Sequence, residues 1–259
     1  MEENIYISII QANIIWQDID GNIKSFDCKI DQISDKTDII VLPEMFNTGF
    51  SLEPERNFDV MEGKTIRWML KKAAQKDAII CGTIIISEKN NFYNRFLFAF
   101  PNGNVLFYDK RHLFRMAKEH YHYTSGNNRL IIEYKGWKIR PLVCYDLRFP
   151  VWSRNVNDYD ILIYTANWPE SRRFQWRTLL TARAIENQSY TVGVNRIGTD
   201  GNKVEYSGDS VILGPVGETI ANTELYKDEI KTVELNYEKL KNYRNNFPAR
   251  LDADKFEIL

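Results

Sequence analysis

Three reactive side chains each close an apolar run. Glu44 follows Ile39-Ile-Val-Leu-Pro43, Lys110 follows Val105-Leu-Phe-Tyr-Asp109, and Cys144 follows Arg140-Pro-Leu-Val143. Apolar runs of this length bounded by Pro or polar residues read as buried strands, and open α/β sheets place their chemistry at the carboxyl ends of such strands. The three groups are complementary. A carboxylate can take a thiol proton and return it to a leaving amine. A thiolate can attack a carbonyl and form a covalent acyl-enzyme. An ammonium, together with the backbone N–H of Tyr145 after the nucleophile, can hold the oxyanion. A base, a nucleophile and an oxyanion clamp suffice for acyl transfer.

Each residue also has a plain structural reading. A cysteine at a strand end is commonly a small core hydrophobe, a glutamate after proline can cap a loop, and a lysine after a strand can be solvated surface. Spacing alone leaves both readings open. Cys81, inside an isoleucine-rich run, and Cys28, within a helical pattern, read as packing residues.

The elements that must position these groups follow from periodicity. Ile5 to Gln11, Thr37 to Leu42 and Ala78 to Ser87 read as buried strands. Gly21 to Ser34 and Lys64 to Lys76 read as helices, the first with Ile23, Phe26, Ile30 and Ile33 at helical spacing. Phe92 to Phe100 and Val105 to Tyr108 form a hairpin across Pro101-Asn-Gly103, and Leu130 to Glu133 pairs with Trp137 to Cys144. Trp152 to Asn157 reads as helix, Asp160 to Thr165 as strand and Phe174 to Asn187 as a long helix. Tyr190 to Asn195, Tyr206 to Leu213 and Glu218 to Ala221 add strands. Tyr237 to Leu259 shows no clear periodicity and reads as a tail draped on the domain or on a second subunit. No linker or repeat divides residues 1–259, so one layered α/β domain with mixed sheets is expected.

Composition narrows the function classes. The net charge of −1 argues against nucleic-acid binding through bulk charge. Three cysteines cannot build a disulfide framework, and a reduced, cytoplasmic setting is expected. The opening Met1-Glu-Glu-Asn-Ile-Tyr-Ile-Ser-Ile-Ile10 lacks the features of a secretory signal, and no apolar run has the length of a membrane span. His120-Tyr-His122 supplies two candidate ligands without a third at motif spacing, so no metal and no cofactor are expected.

Leu42-Pro-Glu-Met45, Tyr108-Asp-Lys-Arg-His-Leu-Phe114 and Val143-Cys-Tyr-Asp-Leu-Arg-Phe-Pro150 resemble the three signature segments of the nitrilase superfamily of carbon–nitrogen hydrolases. Thr165-Ala-Asn-Trp-Pro169, Thr181-Ala-Arg-Ala-Ile-Glu-Asn-Gln188, Gly193-Val-Asn-Arg-Ile-Gly198 and Gly208-Asp-Ser210 extend the resemblance along nearly the whole chain. Segments around Lys110, Glu119-His120 and Cys144 are most similar to the omega-amidase branch, which deamidates 2-oxoglutaramate and 2-oxosuccinamate. The resemblance implies a four-layer α-β-β-α sandwich with two mixed sheets flanked by helices, and a homodimer. It implies Glu44 as general base, Lys110 as oxyanion stabiliser, Cys144 as nucleophile, and Glu119 as a second glutamate supporting the lysine and positioning the amide. A nitrilase or an N-carbamoyl amidohydrolase would use the same groups, and a non-catalytic scaffold would keep the fold alone.

A keto acid substrate needs a cation. Arg148 lies four residues after Cys144, a spacing that returns it to the thiol's side if a turn starts there, and a guanidinium binds carboxylate through two parallel hydrogen bonds. Phe114, Tyr121, Tyr123 and Trp168 are candidate walls of a small pocket. Asn167 is expected to order a loop beside the site, Arg183 and Glu186 to form a structural ion pair, and the Arg172-Arg173 pair to be solvated.

Overall fold

The computed structural model describes residues 4–34, 36–156 and 158–258. Along the chain, strand β1 (Asn4–Gln11) leads to helix α1 (Ile19–Asp31) and strand β2 (Ile39–Val41). A single turn, α2 (Pro54–Asn57), and helix α3 (Lys64–Lys76) precede β3 (Ile79–Glu88), β4 (Asn91–Ala99) and β5 (Val105–Asp109). The second half opens with β6 (Ile132–Tyr134), β7 (Trp137–Val143), the short α4 (Pro150–Ser153) and β8 (Ile161–Ala166). Helix α5 (Arg173–Asn187) then leads to β9 (Tyr190–Asn195), the ribbon β10 (Ile197–Thr199) and β11 (Glu205–Ser207), β12 (Val211–Leu213) and β13 (Thr219–Asn222). Strand β14 (Glu229–Asn236) and helix α6 (Tyr237–Asn246) complete the fold.

The strands form two six-stranded mixed sheets, in the orders β14-β1-β2-β3-β4-β5 and β13-β12-β9-β8-β7-β6. In the first sheet β1, β2 and β3 are parallel neighbours, and in the second β7, β8 and β9 are. These central strands are covered on both faces, which explains their unbroken apolar runs. Ile5, Ile7 and Ile9 point into the layer between the sheets with Ile139, Ile163 and Val192, whereas Ile10, Ile40 and Ile80 meet Phe26, Ile30 and Met69 of α1 and α3. Trp176, Leu180 and Ala184 of α5 cover the outer face of the second sheet. The layers are therefore helix, sheet, sheet, helix.

Several boundaries and assignments differ from the sequence reading. Helix α1 starts at Ile19 because Asp18 accepts from Gly21 N at 2.9 Å and caps it. Tyr206 to Leu213 is two strands, not one. Gly208 and Asp209 both have positive φ between them, and a Cβ at Gly208 would lie 2.1 Å from the Gln11 side chain. The helix expected over Trp152 to Asn157 is Pro150–Ser153, with Pro150 in the first turn where its missing N–H is harmless; Asn157 lies outside the described residues.

The carboxyl-terminal segment is more ordered than a tail. Helix α6 is capped by the Asn236 side chain, which accepts from Lys239 N at 2.8 Å, and it buries only Leu240. One buried side chain gives little periodicity, which is why the helix is faint in the sequence. Arg244 anchors it, donating to Asp160 at 2.6 Å and to Gln188 O at 2.9 Å. Cys28 is exposed on α1, so it is not a packing residue, whereas Cys81 is buried between the sheets.

Candidate active site

The carboxyl ends of β2, β5, β7 and β8 converge. Pro43 stops β2, and the chain turns through Met45 at φ +44°. Thr83 holds that turn, its hydroxyl accepting from Met45 N at 2.8 Å. Glu44 is thereby placed in a fully buried position. Its Oε1 accepts from Asn94 Nδ2 at 2.8 Å and from Lys110 Nζ at 3.0 Å, and its Oε2 accepts from Asn167 N at 2.7 Å.

Lys110 is the first residue after β5, and its N–H donates to Asn94 O at 3.0 Å, which carries the strand direction into the site. Its ammonium is fully buried between Glu44 and Glu119, at 3.0 Å from each. Burial works against the charge, but Glu119 and Glu44 more than offset it, so the lysine is held protonated above its ordinary range. Glu119 accepts from Phe114 N at 2.5 Å with its other oxygen, tying the segment over the site to the lysine. Burial and the charge of Glu44 raise the Glu119 pKa despite the lysine.

Cys144 follows β7 at φ +40°, a left-handed conformation unusual for a residue with a side chain. It opens a 3₁₀ turn, Cys144–Arg148, whose geometry is fixed by Asp146. The buried Asp146 carboxylate accepts from Val143 N at 3.0 Å, Tyr108 OH at 2.8 Å, His112 N at 3.0 Å and the His112 ring Nδ1 at 2.7 Å. The turn at Cys144 and the segment after Lys110 thus share one acceptor. Burial, followed by the negative charge of Glu44, pushes the Cys144 thiol well above its ordinary range, with Lys110 opposing. The resting cysteine is therefore a neutral thiol.

Above the thiol lies a cavity of about 410 Å³, lined by Lys110, Cys144, Tyr145, Arg148, Phe114 and Trp168 among others. The Arg148 guanidinium sits 5.0 Å from the Trp168 ring centre and has no carboxylate partner among the described residues. Arg172, expected to be solvated, also lines the cavity, 5.5 Å from the Phe114 ring. Its neighbour Arg173 makes a bidentate pair with Asp209, at 2.8 and 3.0 Å. Tyr123 is not on the cavity wall. It is buried beside Met45 and Ile85, with its hydroxyl donating to Ser51 O at 2.6 Å. Tyr121 is 74% exposed and is also absent from the wall. Arg183 and Glu186 pair at 2.8 Å, as spacing suggested, and Arg183 also donates to Leu147 O at 2.7 Å. Among the described residues no group of three His, Cys, Asp or Glu side chains is placed to hold a metal ion.

Sequence reasoning missed Asn94, Asp146 and Asn195. Asn94 joins Glu44 to the strand end before Lys110. Asn195 accepts from Trp168 N at 2.8 Å and donates to Trp168 O at 3.0 Å, locking the loop that carries Asn167. For Asp146 and Asn195 the available signal was a short polar side chain at or just beyond a strand end, whereas Asn94 lies inside β4 and its only signal is a polar residue within an apolar strand.

The carbon-nitrogen hydrolase family model matches residues 6–245. The chain belongs to the carbon-nitrogen hydrolase family. It is 48% identical over 252 residues to "Omega-amidase YafV" of Escherichia coli strain K12, covering 97% of this chain and 98% of that protein. It is 31% identical to "2-oxoglutaramate amidase" of Bacillus subtilis strain 168, covering 96% and 97% of the two chains. Among crystal structures, XC1258 of Xanthomonas campestris, a CN-hydrolase superfamily protein with an arsenic adduct in its active site, superposes with a TM-score of 0.96 at 39% identity and covers 99% of both chains. In this carbon-nitrogen hydrolase the α/β sandwich thus brings Glu44, Lys110, Cys144 and Asn167 together from the ends of four strands.

Proposed function

We propose that this carbon-nitrogen hydrolase cleaves the ω-amide of a short 2-oxo dicarboxylic acid monoamide, such as 2-oxoglutaramate or 2-oxosuccinamate, releasing ammonia and the dicarboxylate. Glu44 takes the Cys144 proton as sulfur bonds to the amide carbon. The Lys110 ammonium and the Tyr145 N–H hold the oxyanion. Glu44 then gives its proton to nitrogen, the C–N bond breaks, and ammonia leaves a thioester. Water loses a proton to Glu44 and adds to the thioester carbon. The C–S bond breaks and Glu44 returns the proton to sulfur. Glu119 keeps the lysine charged and in place, and Arg148 grips the substrate carboxylate beside Phe114 and Trp168.

The observation that carries this reading is that Cys144 shares one cavity with Lys110, whose buried ammonium is interlocked with Glu44 and Glu119, while Arg148 on the same wall has no carboxylate partner among the described residues. The relatives named as omega-amidase and 2-oxoglutaramate amidase support the keto acid amide as substrate. Ammonia release across 2-oxoglutaramate, 2-oxosuccinamate, glutamine, asparagine, a nitrile and an N-carbamoyl amino acid tests it. The keto acid amides should turn over fastest by at least tenfold. Preference for the nitrile or the carbamoyl compound would replace the reading with that activity, and no turnover with no acyl adduct on Cys144 by mass spectrometry would leave a scaffold.

The unit proposed to act is the whole chain, 1–259, as a cytoplasmic homodimer. Exposed apolar side chains on α5 and beyond α6 support self-association, with Phe174 76% and Leu251 75% exposed. No helix among the described residues is long and apolar enough to cross a membrane. Sedimentation of the protein at micromolar concentration measures the stoichiometry; a monomer there removes the dimer.

A further inference from the structure

Asn167 carries a polar atom that the scheme above does not use. Its side chain lines the cavity that holds Cys144 and Lys110, yet the residue is only 6% exposed. Its Nδ2 donates to Glu44 O at 2.6 Å, with a longer contact to Glu44 Oε2 at 3.4 Å. Its backbone N–H donates to the same Oε2 at 2.7 Å. The side-chain amide cannot be turned over, because Oδ1 would then face two acceptors. The orientation is fixed, and it leaves Oδ1 buried without a donor among the described residues. A buried acceptor left unmatched costs about 1–3 kcal/mol, so a donor that arrives with the substrate relieves that cost.

We infer that Asn167 Oδ1 accepts an N–H of the scissile primary amide and makes the site selective for amide nitrogen over other leaving groups. The inference rests on the proposed amidase reading. The chemistry of the two neighbours fits. The residue that must protonate the leaving nitrogen is Glu44, and Asn167 is hydrogen-bonded to it through both backbone and side chain. An amide nitrogen held by Oδ1 is therefore held beside its proton source. When sulfur adds to the carbonyl carbon, the nitrogen becomes tetrahedral and basic, takes the proton that Glu44 received from Cys144, and departs as ammonia with the C–N electron pair. An ester of the same acyl group offers an oxygen without a proton, which Oδ1 repels instead of binding. A site built to hydrogen-bond an N–H discriminates strongly against an analogue lacking it.

The test compares kcat/KM for 2-oxoglutaramate with that for the matching ω-methyl ester, in the wild-type protein and in Asn167→Ala. Both substrates give the same thioester, so the ratio isolates acylation and the leaving group. Loosening Glu44 lowers both rates, and the expected result is a loss on the amide at least tenfold greater than on the ester. Equal loss on both, including complete loss of both from folded protein, assigns Asn167 to holding Glu44 alone and overturns the inference. Should Asn167→Ala not fold, the same ratio is read on Asn167→Ser, whose hydroxyl falls about one bond short of the Oδ1 position. Wild-type protein inactive on both substrates would instead sink the amidase reading, so the two failures are distinct.

Discussion

The floor of the cavity and its rim solve opposite electrostatic problems. On the floor, Glu44, Lys110 and Glu119 are fully buried and satisfy one another, with Asn94 and Asn167 completing the set. At the rim, Arg148 and Arg172 lie over aromatic rings with no carboxylate partner among the described residues, and Met116 is 72% exposed. Charges buried on the floor persist only because each has a partner, so removing one strands the others. Charges at the rim remain partly solvated and tolerate loss. Substitutions on the floor should therefore act on the chemical step and on stability together, and those at the rim on recognition alone.

The largest effect separates chemistry from stability within the floor itself. Cys144→Ala should lower kcat by about 10⁴-fold or more, the scale seen when a nucleophile is removed. Because the thiol is neutral at rest and makes no ion pair, the melting temperature should stay close to the wild-type value. Activity within tenfold of wild type would remove Cys144 as nucleophile.

Lys110→Met should lose less rate and far more stability. The missing oxyanion partner accounts for about 10²–10³-fold in kcat, while two buried carboxylates left unpaired cost about 3–5 kcal/mol, read from the urea midpoint. The deficit has a pH signature. Burial already raises the Glu119 pKa from its ordinary value, and loss of the lysine, which opposes that shift, raises it further. A carboxyl whose folded pKa exceeds its unfolded value binds more protons when folded, so stability falls as pH rises. The variant should thus regain stability on acidification from pH 7 towards 5. A deficit that does not change with pH would mean that the carboxylates are not stranded.

The thiol itself offers a third measurement. An ordinary thiol ionises near pH 8.5, so its alkylation by iodoacetamide rises roughly fiftyfold between pH 6.5 and 8.5. Burial and Glu44 hold Cys144 well above that range. Its alkylation, followed by peptide mass spectrometry, should show no midpoint near 8.5 and should still be rising at the alkaline end. A midpoint below 8 would mean a preformed thiolate and would remove Glu44 from proton abstraction in the first step.

The contrast between floor and rim also governs how much was legible in the sequence. Strand ends bearing Glu44, Lys110 and Cys144 were readable because buried parallel strands leave unbroken apolar runs that stop abruptly. The site's internal wiring was not, because Asp146 and Asn94 act through partners far away in sequence, Tyr108 for one and Glu44 for the other. Strand β14 went unread for a related reason. It pairs antiparallel at the sheet edge with β1, and only Leu235 along it is fully buried, so its apolar signal is thin. The rim was misjudged at two points. Arg172 reads as surface by type, yet a cavity opens under it, and Tyr123 reads as pocket by type, yet its hydroxyl turns to Ser51 O. Residue type gives the chemistry, while direction comes from the backbone around it.

The smallest expected effect is the one that tests the rim. Arg148 has no carboxylate partner of its own among the described residues, and the proposed function gives it the substrate carboxylate. Lysine keeps the charge but loses the planar fork that engages both carboxylate oxygens. Arg148→Lys should therefore raise KM for 2-oxoglutaramate about tenfold, in keeping with the loss of one charge-assisted hydrogen bond, and leave kcat within about threefold. A neutral amide of the same length has no carboxylate to lose and should show little change in kcat/KM. Stability in urea should match wild type, because no buried partner is stranded. Equal losses on the charged and neutral amides would make Arg148 part of the floor's scaffold, and the division drawn here between a self-satisfied floor and an open-valent rim would fail at its central residue.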